Sequence, residues 1–132
     1  MKRLFVYGSL LEGQRGHTRI LNGKKPLVRT WTRESSFTMV TDLESSFPFV
    51  FFGGSTRIKG EVYELTSLEV AELDIYEDYP RLYGRQPVAL ECGEEAEMYT
   101  PLDPSWILEK LEKREMVLIP NGDWVGFLSS AS

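Results

Sequence analysis

Segments with the composition of β-strands follow one another in runs along this chain, and this order constrains the fold more than any other feature. Four such segments, rich in β-branched and aromatic residues or alternating in polarity, occupy residues 27–33, 37–40, 47–52 and 57–65. A doubly wound parallel sheet would alternate strands with helices regularly. The sequence therefore predicts an α+β fold in which a small mixed or antiparallel sheet curls into a β-barrel with flanking helices.

Turn and capping signals place the remaining elements. Thr66 and Glu69 form a capping-box pattern, in which each side chain satisfies a free N–H group at the start of a helix. Pro48 lacks an N–H group and favours the start of a strand or the edge of a sheet. Before residue 27 we predict a buried strand at 2–7 and a loop from 13 that leads into a short helix ending at Asn22 and Gly23. After residue 65 we predict a helix at 67–76, a hairpin at 85–91 and 95–100, and a helix at 104–114 with Leu108 and Leu111 inward. The end at 129–132 should be frayed.

Composition narrows the functional classes. The 132 residues suit one domain spanning 1–132, and a net charge of -5 disfavours nonspecific binding to nucleic acid. The single cysteine, Cys92, excludes an internal disulfide and fits a reducing, cytoplasmic setting. Together with the single histidine, His17, it argues against a metal site of the zinc type. We also expect neither a secretory signal nor a membrane span, because no apolar run is long enough.

The first candidate site is the tetrapeptide Tyr7, Gly8, Ser9 and Leu10, which directly follows an apolar run at 4–6. Glycine permits backbone conformations that other residues resist and lets a ligand approach the peptide plane closely. A strand that ends in Gly-Ser can therefore direct backbone N–H groups into a pocket, which predicts a site for an anion or an oxyanion. A simple loop is the alternative at this point.

The second candidate site is an acid that closes an apolar row on the predicted helix at 67–76. With a step of about 100° per residue, Val70, Leu73 and Glu77 fall within about 60° of one another, so Glu77 should face the rim of the core. Its position at the helix C-terminus and its partial burial both favour a raised pKa. A carboxyl group with a raised pKa suits proton transfer at neutral pH.

Other roles for these acids remain open. Glu77 is also compatible with an exposed helix end or with an ion pair to Arg81 or Arg85. Asp74 and Asp78 are weaker candidates for the proton-transfer role. Asp74 is offset from the apolar row, and Asp78 precedes Tyr-Pro and suits a turn.

Landmarks along nearly the whole chain resemble one family. They are the residues 5–10, Phe47 with Pro48, the stretch 60–63 (Gly-Glu-Val-Tyr), Leu73 and Asp74 with Glu77, Tyr83 with Arg85, Tyr99, and the stretch 122–124 (Gly-Asp-Trp). Each is weak alone, but their order and spacing are specific. The chain resembles the gamma-glutamylcyclotransferase-like proteins, which include gamma-glutamylamine cyclotransferases and the plant AIG2-like proteins.

This resemblance implies a fold, a reaction and a partner. The fold is a small mixed β-barrel with flanking helices. Residues 7–10 would bind the glutamyl moiety of a small gamma-glutamyl substrate, and Glu77 would move protons. In the family's reaction the substrate's own alpha-amine attacks the gamma-carbonyl, releases 5-oxoproline and expels an amine or amino acid. The reaction requires no cofactor and no metal.

The resemblance leaves several roles undecided. Tyr83 and Tyr99 are candidates to line the substrate pocket, although core packing explains them equally well. His17 is a candidate for the pocket mouth, Trp124 for a packing anchor, and Cys92 for an inert turn residue. Many family members have glycine after the acid, whereas this chain has Asp78. The leaving amine and the oligomeric state stay open. Two alternatives to an enzyme are a noncatalytic module that binds a small carboxylate and a protein-interaction domain that uses the strand at 47–52.

Overall fold

Two open β-sheets carry the fold in the computed structural model, which describes residues 1–130. One sheet has five strands in the order β2-β5-β1-β7-β6, and the other has three in the order β4-β3-β8. The strands are β1 (Lys2–Val6), β2 (Val28–Trp31), β3 (Phe37–Asp42), β4 (Pro48–Phe52), β5 (Lys59–Leu65), β6 (Tyr83–Ala89), β7 (Glu95–Pro101) and β8 (Met116–Leu118). The helices are α1 (Ser67–Tyr76), α2 (Ser105–Glu112) and α3 (Trp124–Ser130), with a short π-helix at His17–Leu21.

The α+β class is confirmed, but the sheets do not close into the predicted barrel. The outer strands of the five-stranded sheet, β2 and β6, are linked near their ends only by an isolated bridge between Thr32 and Leu90. One bridge is too short a ladder to close a barrel, which needs continuous pairing around its circumference. A shared hydrophobic cluster joins the two sheets instead, with Phe5 and Met98 from one sheet and Val50 from the other.

Strand β1 lies at the centre of the five-stranded sheet, as its apolar run predicts. Leu4, Phe5 and Val6 are all buried, which is typical of a strand covered on both faces. β1 pairs antiparallel with β5 along its whole length and parallel with β7 at Leu4. Residues 7–10 therefore start from the end of the central strand of this sheet, which is paired on both sides.

Helix α1 begins and ends as the sequence predicts. The Thr66 hydroxyl accepts a hydrogen bond from the Glu69 amide (3.2 Å), and the Glu69 carboxylate accepts one from the Thr66 amide (2.9 Å). Val70 and Leu73 are buried on its inner face. Glu77 is the C-terminal cap, and the next residue, Asp78, has a φ of 56°, which turns the chain away. The apolar row and its closing acid thus lie where the periodicity predicts them.

The predicted inner face of α2 is right for Leu111, which packs against the core, and wrong for Leu108. Ile107 is fully buried, whereas Leu108 is 48% exposed and Leu111 is only partly buried. The helix has only eight residues and packs against the short strand β8, so contact with that strand decides which face is inward.

The C-terminal segment is helical where we expect it to be frayed. Ser129 and Ser130 belong to α3, and residues 131–132 lie outside the described part of the chain. The Asp123 carboxylate accepts a hydrogen bond from the Gly126 amide (3.0 Å) and so satisfies an N–H group in the first turn of this helix. Trp124 is buried and stacks on Phe127, which anchors the helix. No helix within residues 1–130 is long and apolar enough to cross a membrane.

Candidate active site

A cavity of about 660 Å³ opens beyond the carboxyl end of β1. Its volume lies within the range of roughly 300–1,000 Å³ that is typical of small-molecule sites. All seven site residues predicted from the sequence line this cavity: Tyr7, Gly8, Ser9, Leu10, Glu77, Tyr83 and Tyr99. The two candidate sites, which are about seventy residues apart in sequence, therefore converge on one cavity.

The loop at residues 7–10 lines the cavity. The hydrogen bonds found within residues 1–130 include none from the amides of Gly8, Ser9 or Leu10. Gly8 O accepts from the Leu11 amide and Ser9 O accepts from the His17 amide, so these two carbonyl groups already have partners. Unpaired amide donors beside occupied carbonyl groups favour a negatively charged oxygen as the ligand.

Gly8 is required by a close approach to Pro48. A Cβ atom at this position would lie 2.6 Å from Cγ of Pro48, closer than packed carbon atoms come. The loop can follow its path beside β4 only if residue 8 has no side chain. This contact explains why Gly8 and Pro48 occur together among the landmarks of the sequence.

A buried polar network supports the loop from the side opposite the cavity. His17 is buried, and its Nδ1 atom lies 3.2 Å from the Leu10 carbonyl oxygen and 3.4 Å from the Tyr63 hydroxyl. The Tyr63 hydroxyl donates to Glu61 (2.9 Å), and the same carboxylate oxygen accepts from the Glu12 amide (2.8 Å). His17 thus lies behind the loop and not among the residues that line the cavity, so the predicted place at the pocket mouth is wrong.

Glu77 faces the cavity without a counterion. Among residues 1–130 its carboxylate forms no hydrogen bond and no ion pair. Glu77 is partly exposed to solvent, and the partial removal of water from its carboxyl group raises its pKa from 4.5 to about 7. Burial, and then the negative charge of Glu77, also raise the pKa of Tyr83. An acid that is half-protonated near neutral pH therefore lies next to a neutral phenol.

The two arginines considered as partners of Glu77 pair with other acids. Arg85 lies 3.2 Å from Asp74 and 3.3 Å from Glu97, and Arg81 pairs with Asp78. The alternative that Glu77 is a structural ion-pair partner of either arginine is therefore wrong. Asp74 also accepts a hydrogen bond of 2.6 Å from the Tyr99 hydroxyl, so it is fully engaged in structure.

Two hydrogen bonds tie the loop at residues 7–10 to the elements around Glu77. The Tyr7 hydroxyl donates to the Tyr99 carbonyl (2.6 Å), and Ser9 Oγ lies 3.0 Å from the hydroxyl of Tyr76, the residue before Glu77. These contacts hold the loop beside β7 and the end of α1. An acid with a raised pKa and loop amides without a partner among the described residues line one cavity, which is compatible with proton transfer and oxyanion binding.

Comparison with known proteins identifies the family. The family model described as "Gamma-glutamyl cyclotransferase, AIG2-like" matches residues 4–126. The chain belongs to this family. The match confirms the resemblance seen in the sequence, and it includes both the loop at residues 7–10 and Glu77.

Relatives and a solved structure agree with this assignment. A Drosophila melanogaster protein named "Putative gamma-glutamylcyclotransferase" is 35% identical over 99 residues, which cover 70% of this chain and 63% of that protein. Mus musculus gamma-glutamylaminecyclotransferase is 32% identical over 100 residues, which cover 71% of this chain and 66% of that protein. This chain thus spans just under two thirds of the length of either relative. The crystal structure of an AIG2-like protein from Mus musculus superposes with a TM-score of 0.64 at 30% identity, covering 81% of this chain and 82% of that one.

Membership in the gamma-glutamyl cyclotransferase, AIG2-like family gives the cavity a chemical context. The roles of Glu77 and of residues 7–10 remain predictions, now with a geometry that is compatible with them. The sequence did not identify the outer part of the cavity, where Phe47, Phe49 and Trp106 form a wall. Their aromatic character is visible in the sequence, but their shared position depends on the packing of α2 against the second sheet.

Proposed function

We propose that this protein is a cyclotransferase that releases 5-oxoproline from gamma-glutamyl amides. The observation that carries the proposal is that Glu77 and the amides of residues 8–10 line one cavity, with the acid free of any counterion within residues 1–130. The family assignment supports the same reaction. Mouse and fly relatives carry cyclotransferase names.

Glu77 acts as the general base in the first step. Its carboxylate takes a proton from the substrate's alpha-ammonium group, and the resulting amine attacks the gamma-carbonyl carbon to form the ring C–N bond. A pKa of about 7 matches this task, because the carboxylate is substantially ionised at neutral pH and is still basic enough to accept the proton. Ring closure is intramolecular, so the site mainly has to hold the substrate in a folded conformation.

Backbone amides stabilise negative charge on the substrate. The N–H groups of Gly8, Ser9 and Leu10 hold either the substrate's alpha-carboxylate or the oxyanion that forms at the gamma-carbonyl. An oxyanion donor contributes about 10²–10³ in rate in well-studied enzymes. Burial raises the pKa of Tyr83, so its phenol stays a neutral donor beside the reacting groups. The Tyr7 and Tyr99 hydroxyls already donate to the Tyr99 carbonyl and to Asp74, so these two residues shape the pocket.

Glu77 then acts as the general acid. It returns its proton to the leaving nitrogen, and the bond from the gamma-carbon to that nitrogen breaks. In total the alpha-nitrogen loses two protons when it becomes the lactam nitrogen, and the leaving nitrogen gains two when it departs as an ammonium ion. Glu77 carries these two protons in turn: the first is taken before ring closure, and the second is taken from the ring nitrogen of the tetrahedral intermediate and passed to the departing amine.

A product assay tests the proposal. The protein is incubated with a panel of gamma-glutamyl amines, amino acids and peptides, and 5-oxoproline is quantified by mass spectrometry. Formation of 5-oxoproline supports the cyclotransferase. Binding of a small carboxylate by calorimetry without product from any compound would favour the noncatalytic module. A protein-interaction role for β4 has less support, because Phe49 and Val50 are buried within this chain.

A further inference from the structure

One wall of the cavity is aromatic and continuous. Phe49 stacks on Tyr83 with ring centroids 6.5 Å apart and planes inclined by 2°. Phe49 also makes edge contacts with Phe47 (5.1 Å) and Trp106 (5.3 Å). We call these four residues the aromatic wall. It is built from three separate parts of the chain: the segment at 47–49, β6 and α2.

The aromatic wall runs from the proton-transfer residue towards solvent. Tyr83, at its inner end, is buried and interacts electrostatically with Glu77. Phe47, at its outer end, is 46% exposed although it lines the cavity. A nitrogen that receives a proton from Glu77 therefore has its substituent next to aromatic rings.

Charge is distributed unevenly around the same cavity. Two acids, Glu77 and Asp78, line the cavity, and Asp78 is paired with Arg81. Among the described residues that line the cavity, Arg15 is the one with a permanent positive charge, and it belongs to the segment that follows the amide loop. A carboxylate on the leaving group would approach Glu77, which has no counterion among the described residues, and an aromatic wall without a cation, which is unfavourable.

We propose that the leaving group of the preferred substrate is an apolar amine without a carboxylate, best an arylalkylamine whose ring lies on the aromatic wall. This inference rests on the proposed function and names the substrate class of the same site. Aromatic pairs gain energy beyond area burial when they stack or meet edge to face, and the wall offers both geometries. The cavity volume of about 660 Å³ accommodates such a group beside the glutamyl moiety.

Three matched substrates test the inference. Gamma-glutamyl phenethylamide carries the ring, gamma-glutamyl-L-phenylalanine carries the same ring with a carboxylate, and gamma-glutamyl ethylamide lacks the ring. We expect kcat/KM for the phenethylamide to exceed that for either of the others by about tenfold or more, as is usual when an apolar pocket is filled by a matching group. The readout is 5-oxoproline release.

Two variants link the preference to the wall. Phe47→Ser removes the outer ring of the wall, and we expect the ratio of kcat/KM for phenethylamide over ethylamide to fall to about threefold or less. Phe52→Ser is the matched control, because Phe52 is a similarly exposed phenylalanine of β4 that does not line the cavity. It should leave the ratio unchanged.

The outcomes separate this inference from the proposed function. Release of 5-oxoproline with equal or higher kcat/KM for the phenylalanine or ethylamide compound overturns the inference and leaves the cyclotransferase intact. An unchanged ratio in Phe47→Ser also overturns it. No 5-oxoproline from these three compounds or from gamma-glutamyl-L-alanine and gamma-glutamyl-epsilon-lysine overturns the proposed function itself.

Discussion

The Nε atom of Arg85 lies 3.2 Å from Oδ1 of Asp74, one helical turn before Glu77. Asp74 also accepts the Tyr99 hydrogen bond, so it holds β6 and β7 against α1. Because Asp74 and Glu97 occupy the guanidinium group, Glu77 keeps no cation and burial alone sets its raised pKa. We therefore assign a structural task to Asp74 in α1 and the proton-transfer task to Glu77, the C-terminal cap of the same helix.

Asp74→Asn tests this division of tasks. Arg85 would lose one of its two anionic partners, and its less compensated charge would favour the Glu77 carboxylate and lower the pKa of Glu77. We expect kcat/KM to stay within about tenfold of wild type at pH 8 and the acid limb of the pH profile to move to lower pH. Kinetics between pH 5 and 9 provide the measurement. A loss as large as that of Glu77→Gln would instead make Asp74 the catalytic acid.

The pH dependence of wild-type activity follows from Glu77. The general base must be ionised, so kcat/KM should rise with pH and reach half of its maximum near pH 7. A plot of kcat/KM against pH for one gamma-glutamyl amide is sufficient. A midpoint near pH 4.5, the ordinary value of a glutamate, would show that burial does not tune this group.

The raised pKa of Glu77 also predicts a cost in stability. The pKa is about 7 in the folded protein and near 4.5 in the unfolded chain, so the folded state binds the proton more tightly. The free energy of unfolding therefore falls as the pH rises from about 4.5 to about 7, by about 2–3 kcal/mol. Glu77→Gln should remove this dependence, and be more stable than wild type at pH 8 but not at pH 4.

Urea unfolding at pH 4 and pH 8 measures both proteins under each condition. Equal stability of the variant and wild type at pH 8 would mean that the Glu77 carboxylate is well hydrated. That result would also remove the reason for its raised pKa.

Gly8→Ala tests the geometry of the amide loop. The added methyl group would meet Cγ and Cδ of Pro48 at 2.6 and 2.7 Å and push the loop away from its position. We expect kcat/KM to fall by about 10²-fold, because the misplaced amides no longer reach the oxyanion. The double variant Gly8→Ala/Pro48→Ala lacks the two contacting atoms and should recover part of the loss. Wild-type kinetics in the single variant would contradict the assigned role of the loop.

Local signals predicted much of the fold. Thr66 and Glu69 placed the start of α1, and Pro48 marked the first residue of an edge strand, as observed. The periodicity of Val70, Leu73 and Glu77 oriented the acid correctly, because three residues of one helix fix their own relative directions. By contrast, barrel closure and the inner face of α2 depend on contacts between distant elements, and the expectations of a closed barrel and of an inward Leu108 were wrong.

In the candidate site, too, local motifs predicted some residues, whereas others depend on contacts between distant elements. Residues 7–10 and Glu77 carry their signals in short motifs, so the sequence named them. The support of the loop by His17, Tyr63 and Glu61 depends on pairing between β1 and β5 and on the path of the π-helix, which no local pattern records. The aromatic wall likewise exists only after α2 packs beside Phe49.

The most direct test of the account is the rate of 5-oxoproline release by wild type and Glu77→Gln under saturating gamma-glutamyl amide at pH 8. Glutamine keeps the size of the side chain and cannot transfer the proton. We predict that kcat falls by about 10²–10⁴ while substrate affinity, measured by calorimetry, changes by less than about threefold. Equal kcat values in the two proteins would contradict the account, because the cavity would then form the lactam without its acid.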